Sequence, residues 1–315
     1  MRVYPYKFVP IYIEKVWGGR ALERLFDRAL PAGADIGESW ELADLAEGES
    51  VVANGPEAGK TLNELLRRDG EAILGRARPM PDGRFPLLLK LLDANDILSL
   101  QVHPDAAAVE RIGPGAALKT ECWFVLASSA GTILKGVEPG VTADDFRRAL
   151  AGGDDAERVR ALVRRLDVAA GDFHYLPAGT VHALGAGVVV AEIQTPSDTT
   201  YRLSDWGRGR RIDVDLALAC AHFAPAPDPP GADGDFLLRT PFFSVRRAVA
   251  APGRTAPTAG RCAAWMVLSG RGNLACDAGA ASLSPGDTVL IPAAGRPALT
   301  VADEMTYLEI TLPET

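Results

Sequence analysis

Apolar positions along this chain gather in short runs: FVPIYI (8–13), FPLLLKLL (85–92), ILSLQV (97–102), CWFVLA (122–127), VVVAEIQ (188–194), FFSVRRAVA (242–250), AAWMVLS (263–269) and TVLIP (288–292). Gly, Pro and Asp separate them, so each run reads as a strand. Many short strands with turn signals between them predict a mainly β sandwich or barrel. Helical spacing is local. TLNELLRR (61–68) opens on a Thr cap, and TADDFRRAL (142–150) places Asp145 three residues after Thr142, the spacing of a capping box. In DDAERVRALVRRL (154–166), Val159, Leu162, Val163 and Leu166 share one helical face. The pattern predicts a small helical insertion over 142–166 and another helix over 213–221.

The segment FAPAPDPPGADG (223–234) is dense in Pro and Gly and reads as a linker. It predicts two domains, 1–224 and 235–315. A weak internal repeat joins them. GDFHYLPAGTVHA begins at Gly171 and GDTVLIPAAGRPA at Gly286, each with Pro six residues after its first Gly. The first copy carries His182 where the second has Pro297. This reads as two related barrels, one chemically equipped and one blank.

Composition adds three constraints. At 315 residues, 47% hydrophobic and 23% charged, the chain can bury a sizeable core. A net charge of -8 argues against a nucleic-acid partner, although a local basic pocket would still admit a phosphorylated small molecule. The start MRVYPYKF lacks the apolar stretch expected of a secretory signal, and the longest nearly apolar run, 181–191, is too short to span a membrane. With Cys122, Cys220, Cys262 and Cys276 widely spaced, the expectation is a cytoplasmic protein with reduced thiols. The chain also has 27 Arg but only 6 Lys, so a retained Lys hints at a need for Lys chemistry.

There are four histidines, His103, His174, His182 and His222. Gln101 and His103 lie two apart in QVHP and would share a strand face. Glu121 opens the next strand, and His182 follows the turn LPAGTVH. One amide oxygen, two imidazoles and one carboxylate suit zinc or a similar divalent metal with an open position for substrate. A single strand histidine is more often core or surface, and His174 and His222 take that reading. His174 lies on the strand leading to His182, and His222 could cap the helix it follows.

Gly171, Pro177, Gly179 and His182 match the second cupin motif, G-x5-P-x-G-x2-H. LLLKLLDANDILSLQVHPD, KTECWFVL, LPAGTVHALGAG and EIQTPSDTTYRLSDWGR resemble the type I mannose-6-phosphate isomerases, and EKVWGGRALERLF and IGESWEL resemble their short bacterial branch. The resemblance implies two cupin-type jelly-roll barrels with a small helical insertion and one zinc per chain. It implies Gln101, His103, Glu121 and His182 as zinc ligands, and Lys90, Lys119, Glu192, Asp198 and Arg202 as active-site residues. The reaction it implies interconverts mannose 6-phosphate and fructose 6-phosphate through an enediol. Lys90 and Asp198 could assist ring opening, Lys119 or Glu192 could move the proton, and Arg202 could face the enediolate or the phosphate. Arg208 falls where many relatives carry Lys. Two rivals stay open: another metal-dependent cupin enzyme, and a non-enzymatic sugar-binding cupin.

Overall fold

The Leu88–Ala94, Val188–Gln194 and Met305–Thr311 strands are buried along their whole length. Strands covered on both faces read as nearly unbroken apolar runs. The structure, a computed structural model, describes residues 3–225, 227–253, 255–257 and 260–314. It is mainly β, with all named strands paired antiparallel in four sheets.

Each jelly-roll barrel pairs a six-stranded sheet with a smaller one. In the first, the large sheet runs Ile11–Gly19, Ile36–Leu42, Leu88–Ala94, Val188–Gln194, Glu121–Ser128, Phe173–Leu176. The small sheet runs Tyr201–Ser204, Leu100–Val102, His182–Leu184, Thr132–Val137, Val163–Asp167. In the second barrel the large sheet runs Tyr6–Lys7, Thr288–Ile291, Ala263–Ser269, Met305–Thr311, Ser244–Ala250, Phe236–Arg239. Thus Phe173–Leu176 and Thr288–Ile291, the two halves of the internal repeat, sit at corresponding places in their sheets. Tyr6–Lys7 crosses over to pair with Thr288–Ile291.

Alternation along the strands sorts side chains to two cores. Leu89, Leu91, Phe124 and Ile193 from one large sheet meet Met266, Leu290, Leu308 and Ile310 from the other, with Leu62, Leu65 and Ile73 of the Leu62–Leu74 helix. The two large sheets therefore share one apolar core through their outer faces. Their opposite faces point into the barrels, where Trp123, Val125 and Val190 line the first and Trp265, Val267 and Tyr307 the second. Short helices cover the outside of the first barrel's small sheet, where Phe146, Val159 and Leu218 bury against Leu100, Val102 and Leu203.

The helix predicted over 154–166 is cut short. It runs Ala156–Arg160, and Val163–Asp167 is a strand paired with Thr132–Val137. Val163 joins the core under the helices while Leu166 packs toward the barrel interior. Opposite faces of a strand serve both residues, so the sheet edge overrides a local helical period. The helices at Ala21–Phe26 and Ala106–Ile112 have no counterpart in the sequence pattern described above. Of the 223–234 segment, residue 226 lies outside the described residues. All four cysteines are unpaired, and no helix among the described residues is long and apolar enough to cross a membrane.

Candidate metal centre and active-site cleft

Antiparallel register builds the site from two rows of side chains. In the large sheet, Glu192 stands opposite Lys90 on one side and Trp123 on the other, and Trp40 stands beyond Lys90. In the small sheet, Gln101 stands opposite both His182 and Arg202. The barrel interior brings the rows together.

His103, Glu121 and His182 are 2%, 0% and 1% exposed, and their ligand atoms lie within 4.8 Å of one another. Glu121 Oε1 is 3.2 Å from His182 Nε2, and Oε2 is 3.7 Å from His103 Nε2. Both imidazoles are oriented through the other nitrogen: Nδ1 of His103 lies 2.8 Å from the Thr199 carbonyl, and Nδ1 of His182 lies 2.8 Å from the Thr180 carbonyl. Each Nδ1 therefore carries the proton it donates, and each Nε2 turns a lone pair inward. Burial and Lys119 hold the His103 pKa well below the usual imidazole range, so this ring is neutral. Burial would raise the Glu121 carboxyl, but the charge of Lys119 beside it opposes this, and the carboxyl stays well below its usual range and ionised.

Nε2 of His103 and both Glu121 oxygens are buried without a well-formed hydrogen bond. Lys119 Nζ does approach Glu121 Oε2 to 3.0 Å, as an ion pair. Buried polar atoms left in this state are costly unless something else satisfies them. Two imidazole nitrogens and a carboxylate are the donor set a divalent cation satisfies. The Gln101 amide lies 3.3 Å from His182 Nε2, at the edge of the same cluster. The Gly179 turn of the cupin motif is equally constrained. Its φ is +90°, and a Cβ there would stand 2.6 Å from the His222 ring.

A polar cleft of about 290 Å3 opens beside the cluster, and Gln101, Lys119, Glu192, Asp198 and Arg202 all line it. Lys90 lines it too and is 2% exposed. Its Nζ lies 3.2 Å from Glu38, 3.6 Å from Glu192 and 3.9 Å from Asp198. Burial alone would lower its pKa, but these carboxylates raise it, so Lys90 is held charged. Burial and the Glu121 charge raise the Glu192 carboxyl. Trp123 Nε1 donates to Glu192 Oε2 at 2.9 Å, while Oε1 has no hydrogen bond. Arg202 is half-buried and its Nε is unsatisfied.

Several cleft residues escaped the sequence reading. Glu38 accepts from Trp40 Nε1 at 2.7 Å and pairs with Lys15 at 2.9 Å. Both stand in segments already singled out, EKVWGGR and IGESWEL, and Lys15 is one of the six lysines. Arg210 lines the cleft, whereas Arg208 turns away to Asp96, Asp205 and the Ile97 carbonyl. His174 stands opposite Trp123, outside the residues lining the cleft. His222 does not cap the helix it follows. It pairs with Asp105 at 2.9 Å, the residue that caps Ala106–Ile112.

Residues 6–123 match the family model for the catalytic domain of type I phosphomannose isomerase. The chain is 34% identical over 293 residues to a mannose-6-phosphate isomerase of Streptococcus mutans, spanning 89% of each chain. It is 38% identical over 208 residues to the mannose-6-phosphate isomerase ManA of Bacillus subtilis, spanning 66% of this chain and 63% of that one. The crystal structure of mannose 6-phosphate isomerase from Bacillus subtilis matches with a TM-score of 0.84 at 29% identity, over 98% of this chain and 100% of that one.

Proposed function

The chain belongs to the type I mannose-6-phosphate isomerase family, and from that premise we propose that it interconverts mannose 6-phosphate and fructose 6-phosphate through an enediol, with one zinc held by Gln101, His103, Glu121 and His182. The observation that carries the metal site is the buried set of unsatisfied atoms, His103 Nε2 and both Glu121 oxygens, beside a polar cleft. The four unpaired cysteines support a cytoplasmic setting.

Zinc, when bound, supplies Lewis-acid polarisation of a sugar oxygen. The chain's own groups divide the remaining work. Lys90, held charged by Glu38, Glu192 and Asp198, is a fixed hydrogen-bond donor and cannot serve as the base. With the Asp198 carboxylate it assists ring opening. Two groups stand ready to carry the C2 proton to C1: Lys119 and Glu192. Glu192 has an Oε1 with no hydrogen bond and a carboxyl pKa raised above its usual value, the direction of tuning general acid–base transfer needs. Arg202 brings a permanent positive charge with no carboxylate paired to it among the described residues, suited to the charge that develops on the enediolate oxygens.

The test combines elemental analysis with a coupled assay on mannose 6-phosphate. The purified protein should carry zinc and turn over, and His103→Ala and His182→Ala should lose metal and activity together. Full metal occupancy in both variants would refute the site.

A further inference from the structure

The second barrel has no histidine, yet it repeats part of the catalytic row. Glu309 stands opposite Arg246 on one side and Trp265 on the other, as Glu192 stands between Lys90 and Trp123. Beyond the cation comes an aromatic in each case: Trp40 opposite Lys90, and Phe236 opposite Arg246. Lys90 Nζ lies 5.2 Å from the Trp40 ring, and the Arg246 guanidinium 6.0 Å from the Phe236 ring. Alternation puts Arg246, Trp265 and Glu309 on the face that points into the second barrel, with Tyr307.

Donors outnumber acceptors in this row. Arg246 reaches Glu309 Oε1 at 3.0 Å, and Arg261 approaches the same oxygen at 3.7 Å. Two guanidinium groups against one carboxylate leave one positive charge. Nε of Arg246, Nε of Arg261 and Nε1 of Trp265 are all buried without a hydrogen-bond partner. Trp265 is 4% exposed and stacks on Tyr307 at 4.2 Å. All three orphaned atoms are donors, which calls for an acceptor-rich anion. Both arginines keep part of their side chains in solvent, and Arg261 lines an open cavity of about 420 Å3 rimmed by the Arg76–Glu314 ion pair.

We propose that Arg246 and Arg261 form an oxyanion site in the second barrel that takes phosphate or a phosphate monoester, separate from the catalytic cleft. The paired guanidinium forks match phosphate geometry. Calorimetric titration of the metal-loaded enzyme with inorganic phosphate, and separately with a hexose 6-phosphate, tests it. Arg261→Gln leaves the Arg246–Glu309 pair in place. It should weaken second-site binding by about tenfold, the scale of one charge-assisted contact, with turnover and melting temperature unchanged. Arg261→Lys should restore part of the affinity, and Arg202→Lys should leave this site intact. Equal affinities for the two probes would mark a free-phosphate site, whereas tighter binding of the ester would mark added contacts to the sugar. An Arg261→Gln protein that titrates like wild type with both probes would overturn the proposal.

Discussion

Lys90 and Arg202 show how two cations in one cleft take different work. Lys90 has three carboxylates within 4 Å, so its charge is locked and locally neutralised. Arg202 has a buried, unsatisfied Nε and, among the described residues, no carboxylate within ion-pair distance, so its charge is available to substrate. The expected role is stabilisation of the enediolate in the transition state. Arg202→Lys keeps the charge and removes the planar fork. It should lower turnover roughly 30-fold to 1,000-fold, or roughly 2–4 kcal/mol, while leaving metal content and fold intact. If Arg202 only grips phosphate, the Michaelis constant should rise with turnover nearly unchanged. Steady-state kinetics on mannose 6-phosphate separate the two, and an unchanged turnover number would leave Arg202 a binding residue.

At the scale of elements, local chemistry works where neighbours in sequence are also neighbours in space. Thr61 is a case in point. Its Oγ1 accepts from Glu64 N at 3.2 Å, and the Glu64 carboxylate accepts from Thr61 N at 2.8 Å, closing the capping box of the Leu62–Leu74 helix. That helix supplies Leu62, Leu65 and Ile73 to the core between the two large sheets. Thr61→Ala should therefore cost about 1 kcal/mol in denaturant unfolding with turnover unaffected. An unchanged unfolding midpoint would show the cap to be idle. Residues 163–166 are the opposite case. Their spacing satisfies a helix, but pairing with Thr132–Val137 offers each apolar side chain its own core, and the strand wins.

At the scale of the whole molecule, two barrels of one plan stand back to back, and the metal chemistry is expected in one alone. No histidine lies beyond His222, and Pro297 stands at the repeat position of His182. We propose a division into 1–224 and 235–315 about the 223–234 linker, with Tyr6–Lys7 reaching over to the second barrel. Metal analysis should accordingly return about one equivalent per chain, all of it lost in His103→Ala. A second equivalent that survives that substitution would contradict a metal-free second barrel. The strand runs, the capped helices and the repeat were legible in the chain through short-range periodicity, and the cluster of His103, Glu121 and His182 through its resemblance to a family pattern. Tertiary structure alone decided which charges meet. Glu38, Lys90 and Glu192 come from strands far apart in sequence and face one another only through antiparallel register. The choice of Arg210 over Arg208 for the cleft likewise follows from tertiary contacts: Asp96 and the Ile97 carbonyl hold Arg208 aside, while Asp205 pairs with both. Periodicity reports which face a side chain takes on its own strand, whereas its partners across the barrel depend on how the sheets close.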